Sequence, residues 1–129
     1  MDTIGRRFAQ ALASKDRAAL DALLSPTVDF KALTPRRSWE AGSPAEVAEI
    51  AFGTWFDDGD RIDTLVEVTE GPPVEDTAHV RYRLTVTNDD GPHTVEQQAY
   101  YRTDGDRIDT GRINYLRVLC SGYRPVTAG

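Results

Sequence analysis

Residues 77–103 read TAHVRYRLTVTNDDGPHTVEQQAYYRT, two stretches of alternating apolar and polar residues on either side of an Asp-Asp-Gly-Pro turn. Alternation with a period of two is typical of a β-strand that buries one face. Aspartate, glycine and proline favour the tight turn of a hairpin. The stretch therefore predicts two antiparallel strands, Thr77–Thr87 and Thr94–Thr103, joined by a two- or four-residue loop that sets Thr87 opposite Thr94.

The register of this hairpin predicts which side chains point inward, because residues two apart along a strand share a face. It pairs Leu84 with Gln97, Tyr82 with Ala99 and Val80 with Tyr101. The inward face is then apolar except for the polar groups of Tyr82, Gln97 and Tyr101. Buried polar groups need hydrogen-bond partners, which a pocket holding water or a ligand would supply. The protein itself would supply them if the tyrosine hydroxyls reach the rim and Gln97 bonds a nearby backbone group.

The opposite face of the same hairpin is polar but carries an aromatic ring. Its predicted members are Arg81, Arg83, Glu96, Gln98 and Tyr100. Arginine and aromatic residues are enriched at protein interfaces. This face is therefore predicted to be either solvated or part of a homodimer.

The rest of the chain predicts three helices and further strands. Apolar residues at helical spacing indicate a helix over 3–13 and a second one capped by Asp16 that stops at Ser25-Pro26. A capping box with proline at its first helical position, Ser43 to Glu46, begins a third helix that runs to about Phe56. Strands are predicted at Thr27–Leu33, at Ile62–Glu70 and within Arg107–Leu119, with a loop at Thr34–Gly42.

This order defines the fold class. Helix, helix, strand, helix and then four strands is an α+β arrangement, and residues 1–129 form one domain. The connections between the late strands are too short for crossover helices, which excludes a parallel α/β sheet. The predicted sheet is antiparallel or mixed and is covered by helices from the N-terminal half.

Composition excludes several classes of function. A formal charge of −6 and a pI near 4.8 argue against nucleic acid or an anionic membrane surface as a partner. The single cysteine, Cys120, cannot form an internal disulfide, and no apolar stretch matches a secretion signal or a membrane span. A cytoplasmic location is therefore expected.

The sequence DGDRIDT occurs twice, at 58–64 and at 104–110. A turn that leads into a strand explains both copies. A calcium loop is the alternative, but the acidic spacing departs from the EF-hand pattern and lacks its closing glutamate. No metal site and no cofactor are predicted.

Few side chains are candidates for chemistry. His79 falls on the outward face and His93 beside the hairpin turn, so both are predicted to be surface histidines rather than general bases. Cys120 ends the last strand either as a small apolar residue or as a nucleophile, although no neighbouring base is evident. Trp39 in the loop before the third helix and Trp55 within that helix are both placed to line a pocket mouth, although core packing is the simpler account for Trp55.

With this order of elements the chain resembles the superfamily of nuclear transport factor two, ketosteroid isomerase and the SnoaL-like polyketide cyclases. The resemblance spans nearly the whole chain and rests on residues 8–12, 18–24, 28–30 and 43–46 and on the four closing strands. It implies a cone-like curved sheet, a cystatin-like roll, whose open end admits a small molecule. It also implies dimerisation through the outer face of the sheet in many members.

Catalytic residues do not transfer from the resemblance. Ketosteroid isomerase-like chemistry would need a carboxylate on the early strand and a tyrosine on the first helix. Here Asp29 alternates away from the dry face, and Phe8 stands near the tyrosine position. Asp109 with Arg112 could supply an epoxide hydrolase-like arrangement, but the face of the last strand stays open.

The leading prediction is a protein that binds a small hydrophobic molecule, with or without a cyclase-, isomerase- or hydrolase-like reaction. Trp39, Tyr82, Gln97 and Tyr101 are its predicted ligand-binding residues. The alternative is a non-catalytic homodimeric accessory or protein-interaction module. The roles of Asp29, His79 and Cys120 stay open at this stage.

Overall fold

The predicted helices and strands follow one another in the predicted order, and two short strands that the sequence did not predict are added to them. The computed structural model describes residues 3–107 and 109–126, and the elements below are those of that part of the chain. The helices are α1 (Ile4–Ala13), α2 (Arg17–Leu23), α3 (Pro44–Ile50) and a π-helix (Ala51–Trp55) that continues α3. The strands are β1 (Leu24–Thr34), β2 (Arg37–Ala41), β3 (Arg61–Val74), β4 (Thr77–Asn88), β5 (Gly91–Thr103), β6 (Ile113–Cys120) and β7 (Arg124–Pro125).

The strands form one curved, unclosed mixed sheet. Its order is β2-β1-β6-β5-β4-β3, and β7 pairs separately with β5. The β1–β6 pair is parallel and the other pairs are antiparallel. The helices cover one face, where Phe8 of α1 meets Tyr82 of β4 with ring centroids 6.2 Å apart. The predicted α+β fold with a mixed sheet is confirmed.

Side-chain caps explain where the helices begin. Asp16 accepts a hydrogen bond from the backbone N–H of Ala19 at 3.0 Å, which begins α2. Ser43 Oγ accepts from the backbone N–H of Glu46 at 3.3 Å, and Glu46 in turn accepts from the Gly42 N–H at 3.1 Å. The Ser43 bond is the half of the predicted capping box that begins α3, while the Glu46 carboxylate reaches one residue further back than the box requires.

The segment predicted as a loop, Thr34–Gly42, instead contains β2. The chain turns at Arg36, whose φ of 70° is left-handed, and returns so that Trp39 lies opposite Ala32. Residues 37–41 alternate weakly in burial, which is why the sequence alone did not distinguish this edge strand from a loop.

The β4–β5 register differs from the predicted one by two residues. Asn88 pairs with Gly91 around a two-residue turn, so Thr87 lies opposite Pro92 rather than Thr94. Tyr82 therefore faces Gln97, not Ala99, and Gln97 is not the partner of Leu84. A shift of two preserves the faces, because side chains alternate with a period of two. The prediction of which residues point inward was right while the pairs were wrong.

The two DGDRIDT copies adopt different structures. The first turns into β3, as predicted. The second is a loop in which Gly105 N–H bonds the Thr110 carbonyl at 3.0 Å, and β6 begins only at Ile113. Ile108 lies outside the described residues.

Across the described ranges, the helices are too short or too polar to cross a membrane.

Candidate functional site

A pocket of about 220 Å³ opens between the π-helix, the middle of β5 and the segment that follows β6. It is lined by Thr34, Trp39, Thr54, Trp55, Phe56, Gln97, Cys120, Gly122 and Tyr123. Four of these nine residues are aromatic, and most of the lining surface is apolar. The polar atoms are few, and they come from separate elements of the fold.

The π-helix shapes one wall of the pocket. Its wide turn is closed by the Phe56 N–H, which bonds the Ala51 carbonyl at 2.8 Å. Trp55 then packs against Phe30 of β1 and edge-on against Trp39 of β2, with centroids 6.1 Å apart in both pairs. Trp39 donates its Nε1–H to Thr34 Oγ1 at 2.8 Å. The Nε1–H of Trp55 is buried and has no acceptor among the described residues.

Gln97 forms the floor. Its side chain is fully buried, and its Oε1 accepts a 2.5 Å hydrogen bond from the Tyr82 hydroxyl. Its Nε2 is also buried without a partner in residues 3–107 and 109–126. Two hydrogen-bond donors, the amide of Gln97 and the indole of Trp55, are therefore left unsatisfied around one pocket.

Tyr123 closes the far side. Its hydroxyl contacts the Trp55 carbonyl and donates to Asp60 Oδ2 at 3.0 Å. Burial, and then the nearby Asp60 carboxylate, raise the pKa of Tyr123 well above its usual value near 10.0. The phenol therefore stays protonated. Asp60 is held in turn by Asn88 Nδ2 at 3.0 Å.

The structure brings some of the predicted ligand-binding residues together. Trp39 and Gln97 line this pocket, and Tyr82 holds Gln97 from behind. Tyr101 lies apart from them, at the start of α1. Its buried hydroxyl accepts from the Gly5 N–H at 3.0 Å and donates to Asp109 Oδ1 at 2.7 Å.

The histidines have different environments. His79 is on the outer face as predicted, stacked on Tyr100 at 4.5 Å and bonded to Gln98 Oε1 at 3.0 Å. His93 was predicted to be a surface residue, and that was wrong: it is 7% exposed. The reason is that β7 pairs with β5 here and Tyr123 packs 5.8 Å from the imidazole.

The carboxylates considered from sequence lie elsewhere. Asp29 points outward, as predicted, and pairs with Arg117 at 3.3 Å. Asp109 accepts a hydrogen bond from the Ile4 N–H at 3.2 Å, so it contacts the first residue of α1. Arg112 precedes β6, whose inward positions are Leu116 and Val118.

Sequence reasoning missed the pocket role of Tyr123 and preferred core packing to a pocket mouth for Trp55. For Cys120 it left a buried apolar role and a nucleophile open. Trp55 was assigned to the core because it lies on the apolar side of a helix. Tyr123 follows the last long strand with no periodic pattern around it. The sequence feature that could have indicated the role of Tyr123 is the preceding glycine, Gly122. Its φ of 76°, which favours glycine, turns the chain back over the sheet.

Comparison with known proteins supports the fold. No protein-family model and no curated protein matches the chain by sequence. Solved structures do match: a nuclear transport factor two-like protein from Anabaena variabilis has 19% identity and a TM-score of 0.63, covering 92% of this chain and 84% of that one. An LEH-like epoxide hydrolase from M. tuberculosis has 12% identity and a TM-score of 0.62, with coverage of 92% and 80%.

A candidate ketosteroid isomerase from Kribbella flavida is similar over 98% of this chain and 81% of its own, with 13% identity and a TM-score of 0.59. At these identities the likeness concerns the fold. The chain shares the α+β fold of these proteins, which is the fold that the resemblance implied.

Proposed function

We propose that this protein binds a small, mainly apolar molecule that carries a carbonyl-type hydrogen-bond acceptor, in the pocket beside the π-helix. The observation that carries the proposal is a pair of unsatisfied buried donors, Gln97 Nε2 and Trp55 Nε1, that belong to two residues of the same pocket lining. An unsatisfied buried donor costs about 1–3 kcal/mol. One acceptor oxygen between the two N–H groups would remove that cost.

The rest of the lining indicates the size and polarity of the ligand. An apolar cavity of about 150 Å³ in a protein core holds benzene, so about 220 Å³ suits a compact cyclic molecule with a polar substituent. Trp39, Phe56 and Cys120 would contact its hydrocarbon part. This combination of apolar walls and few oriented polar groups is typical of small-molecule sites.

Proton transfer would distinguish a cyclase-, isomerase- or hydrolase-like reaction from simple binding. The phenol of Tyr123, hydrogen-bonded to Asp60, is the group on the pocket wall that could hold such a proton. We propose that Tyr123 stays neutral, keeps its hydroxyl hydrogen bond to Asp60 and contributes its ring to the pocket wall. Of the predicted ligand-binding residues, Trp39 and Gln97 line this pocket and Tyr82 holds Gln97 from behind.

A matched pair of probes tests the proposal. Cyclohexanone and methylenecyclohexane have similar shapes, but only the ketone has an acceptor oxygen. We expect NMR titration to show tighter binding of the ketone, and Gln97→Leu and Trp55→Phe each to abolish that preference. Gln98→Leu, on the outer face, is the matched control and should keep it. Equal binding of the two probes by the native protein would overturn the proposal.

A second candidate function is a homodimeric module. The observation that favours it is an exposed apolar cluster on the outer face of β1, β5 and β6: Leu33, Tyr100 and Leu119, which are 57%, 39% and 55% exposed. They line one groove of about 300 Å³. Exposed apolar clusters of this kind mark interaction surfaces. The charged part of this face is paired within the chain, with Arg83 and Glu96 at 3.1 Å.

A further inference from the structure

Cys120 lies in the same pocket, directly across the β5–β6 pair from Gln97. Directly opposed residues of antiparallel strands have Cβ atoms about 4.5–5.5 Å apart and share a face. The backbone N–H of Gly122 donates to the sulfur at 3.3 Å, which fixes its position at the end of β6. The thiol is partly buried, so a molecule in the pocket can reach it.

A single thiol does not define a site, but here a second observation points to a ligand. The Gln97 side chain is 0% exposed, and its Nε2 has no partner in the described part of the chain. The sulfur therefore lies beside a donor that would polarise a carbonyl group. Nucleophiles next to oriented N–H donors are the elements of covalent carbonyl chemistry.

We infer that Cys120 is a covalent attachment site for small cyclic enones whose carbonyl oxygen is held by Gln97 and Trp55. The inference rests on the proposed carbonyl-binding pocket and names the reactive class of ligand that fits it. In an enone the carbonyl oxygen and the electrophilic β-carbon lie at opposite ends of a short conjugated system. Gln97 and Cys120 are directly opposed on neighbouring strands, where Cβ atoms are about 4.5–5.5 Å apart, so one short ligand can reach both side chains.

The addition is balanced without any co-reactant. A sulfur electron pair forms the bond to the β-carbon, and the carbon–carbon π pair moves toward the oxygen. The resulting enolate oxygen is stabilised by the two N–H groups. The proton lost by the thiol to water is replaced from water at the α-carbon. The product is the protein plus one whole enone, with no atom lost.

The experiment uses cyclohex-2-enone as the reactive probe and intact-protein mass spectrometry as the readout, at mildly alkaline pH. Because the chain has one cysteine, a single adduct reports on Cys120 alone. We expect labelling at least about tenfold faster than that of free N-acetylcysteine, since one oriented donor of this kind contributes about 10²–10³ in rate. Cys120→Ser should give no adduct.

Two variants distinguish activation of the enone carbonyl from access of a reagent to the Cys120 thiol. Gln97→Leu should slow cyclohexenone labelling at least about tenfold, and Trp55→Phe, which removes an N–H but keeps an aromatic ring, should slow it as well. Methyl methanethiosulfonate has no carbonyl group, so its reaction with Cys120 should stay within about twofold in both. Unchanged enone rates in these two variants, or labelling of the native protein no faster than the free thiol, would overturn the inference.

The non-covalent probes keep this result distinct from the proposed function. If cyclohexanone binds with the expected preference but cyclohexenone labels slowly, the pocket proposal stands and the covalent inference is wrong. If cyclohexanone shows no preference over methylenecyclohexane, the proposed function fails first, and the covalent inference fails with it.

Discussion

The Tyr82 hydroxyl donates a 2.5 Å hydrogen bond to Oε1 of Gln97 directly across the β4–β5 pair, and both side chains are buried. This bond fixes the orientation of the amide. Because Oε1 is occupied by Tyr82, Nε2 is the end left without a partner among the described residues. Gln97 also lies opposite Cys120 on its other side. One glutamine therefore connects the interior of the sheet with the proposed ligand.

Removing this hydroxyl should destabilise the protein. We expect Tyr82→Phe to lower the free energy of unfolding in urea by about 1–3 kcal/mol, because it leaves Oε1 of Gln97 buried and unpaired. Tyr115→Phe is the control, since the stacking of Arg102 and Arg117 on that ring does not use its hydroxyl. The double variant Tyr82→Phe/Gln97→Leu should be more stable than Tyr82→Phe alone. Native stability in Tyr82→Phe would show that the bond contributes nothing.

Two glycines in helical segments should respond oppositely to alanine. Alanine is favoured over glycine in a helix by about 1 kcal/mol. A Cβ at Gly5 would lie 2.9 Å from the Tyr101 hydroxyl oxygen and 3.0 Å from Val80 Cβ. At Gly53 the nearest atoms belong to the end of the flexible Glu49 side chain. We expect thermal unfolding to show a lower Tm for Gly5→Ala and an unchanged or higher Tm for Gly53→Ala. A higher Tm for Gly5→Ala would contradict the tight α1–sheet contact.

Stability should fall at alkaline pH. Burial raises the pKa of Tyr82, Tyr101 and Tyr123 above the ordinary 10.0, and the Asp109 and Asp60 carboxylates raise the last two further. The unfolded chain releases these protons near pH 10 while the folded chain keeps them. Their contribution is therefore complete below pH 10 and is lost as the pH rises above it.

The corresponding measurement is the denaturation midpoint as a function of pH. We expect the alkaline decline to be shallower in Tyr123→Phe than in the native protein. Tyr100→Phe, which alters an exposed ring on the outer face, should retain the native slope. An identical slope in all three proteins would show that the buried phenols do not cause the decline.

The exposed apolar cluster predicts a dimer that a single charge can disrupt. In the second candidate function, Leu119→Glu should convert a dimer to a monomer in analytical ultracentrifugation, because it places a charge in the centre of the contact. Val74→Glu is the matched control, since Val74 is equally apolar, 71% exposed and outside the cluster. A native protein that is monomeric at micromolar concentration would exclude this candidate.

Local pattern explains how much of the fold the sequence could predict. Asp16 and Ser43 mark helix starts because the capping residue and the N–H it accepts are three residues apart. The alternation of Val28, Phe30 and Ala32 predicts a strand with one dry face, and all three are buried. The weak edge strand β2 was missed because its pairing with β1 depends on the turn at Arg36 rather than on its own composition.

The candidate site was only partly predictable. Gln97 and Tyr82 were recognised because period-two alternation placed polar groups on an apolar face. That Tyr82 and Gln97 pair with each other was not predicted. The turn consists of Asp89-Asp90 alone, which shifts the cross-strand partner of each residue by two positions and leaves the face of each side chain unchanged. His93 was misjudged because its cover comes from β7 and Tyr123, far along the chain.

By itself the sequence determined the α+β order, the helix caps and the inward set of side chains, since each depends on residues a few positions apart. Only the tertiary structure decided the strand register and the meeting of Trp55, Gln97, Cys120 and Tyr123 around one pocket. These residues come from three separate parts of the chain, and their approach depends on a π-helical turn and on how the chain folds back after β6. Neither leaves a periodic trace in the sequence, because both follow from packing between elements.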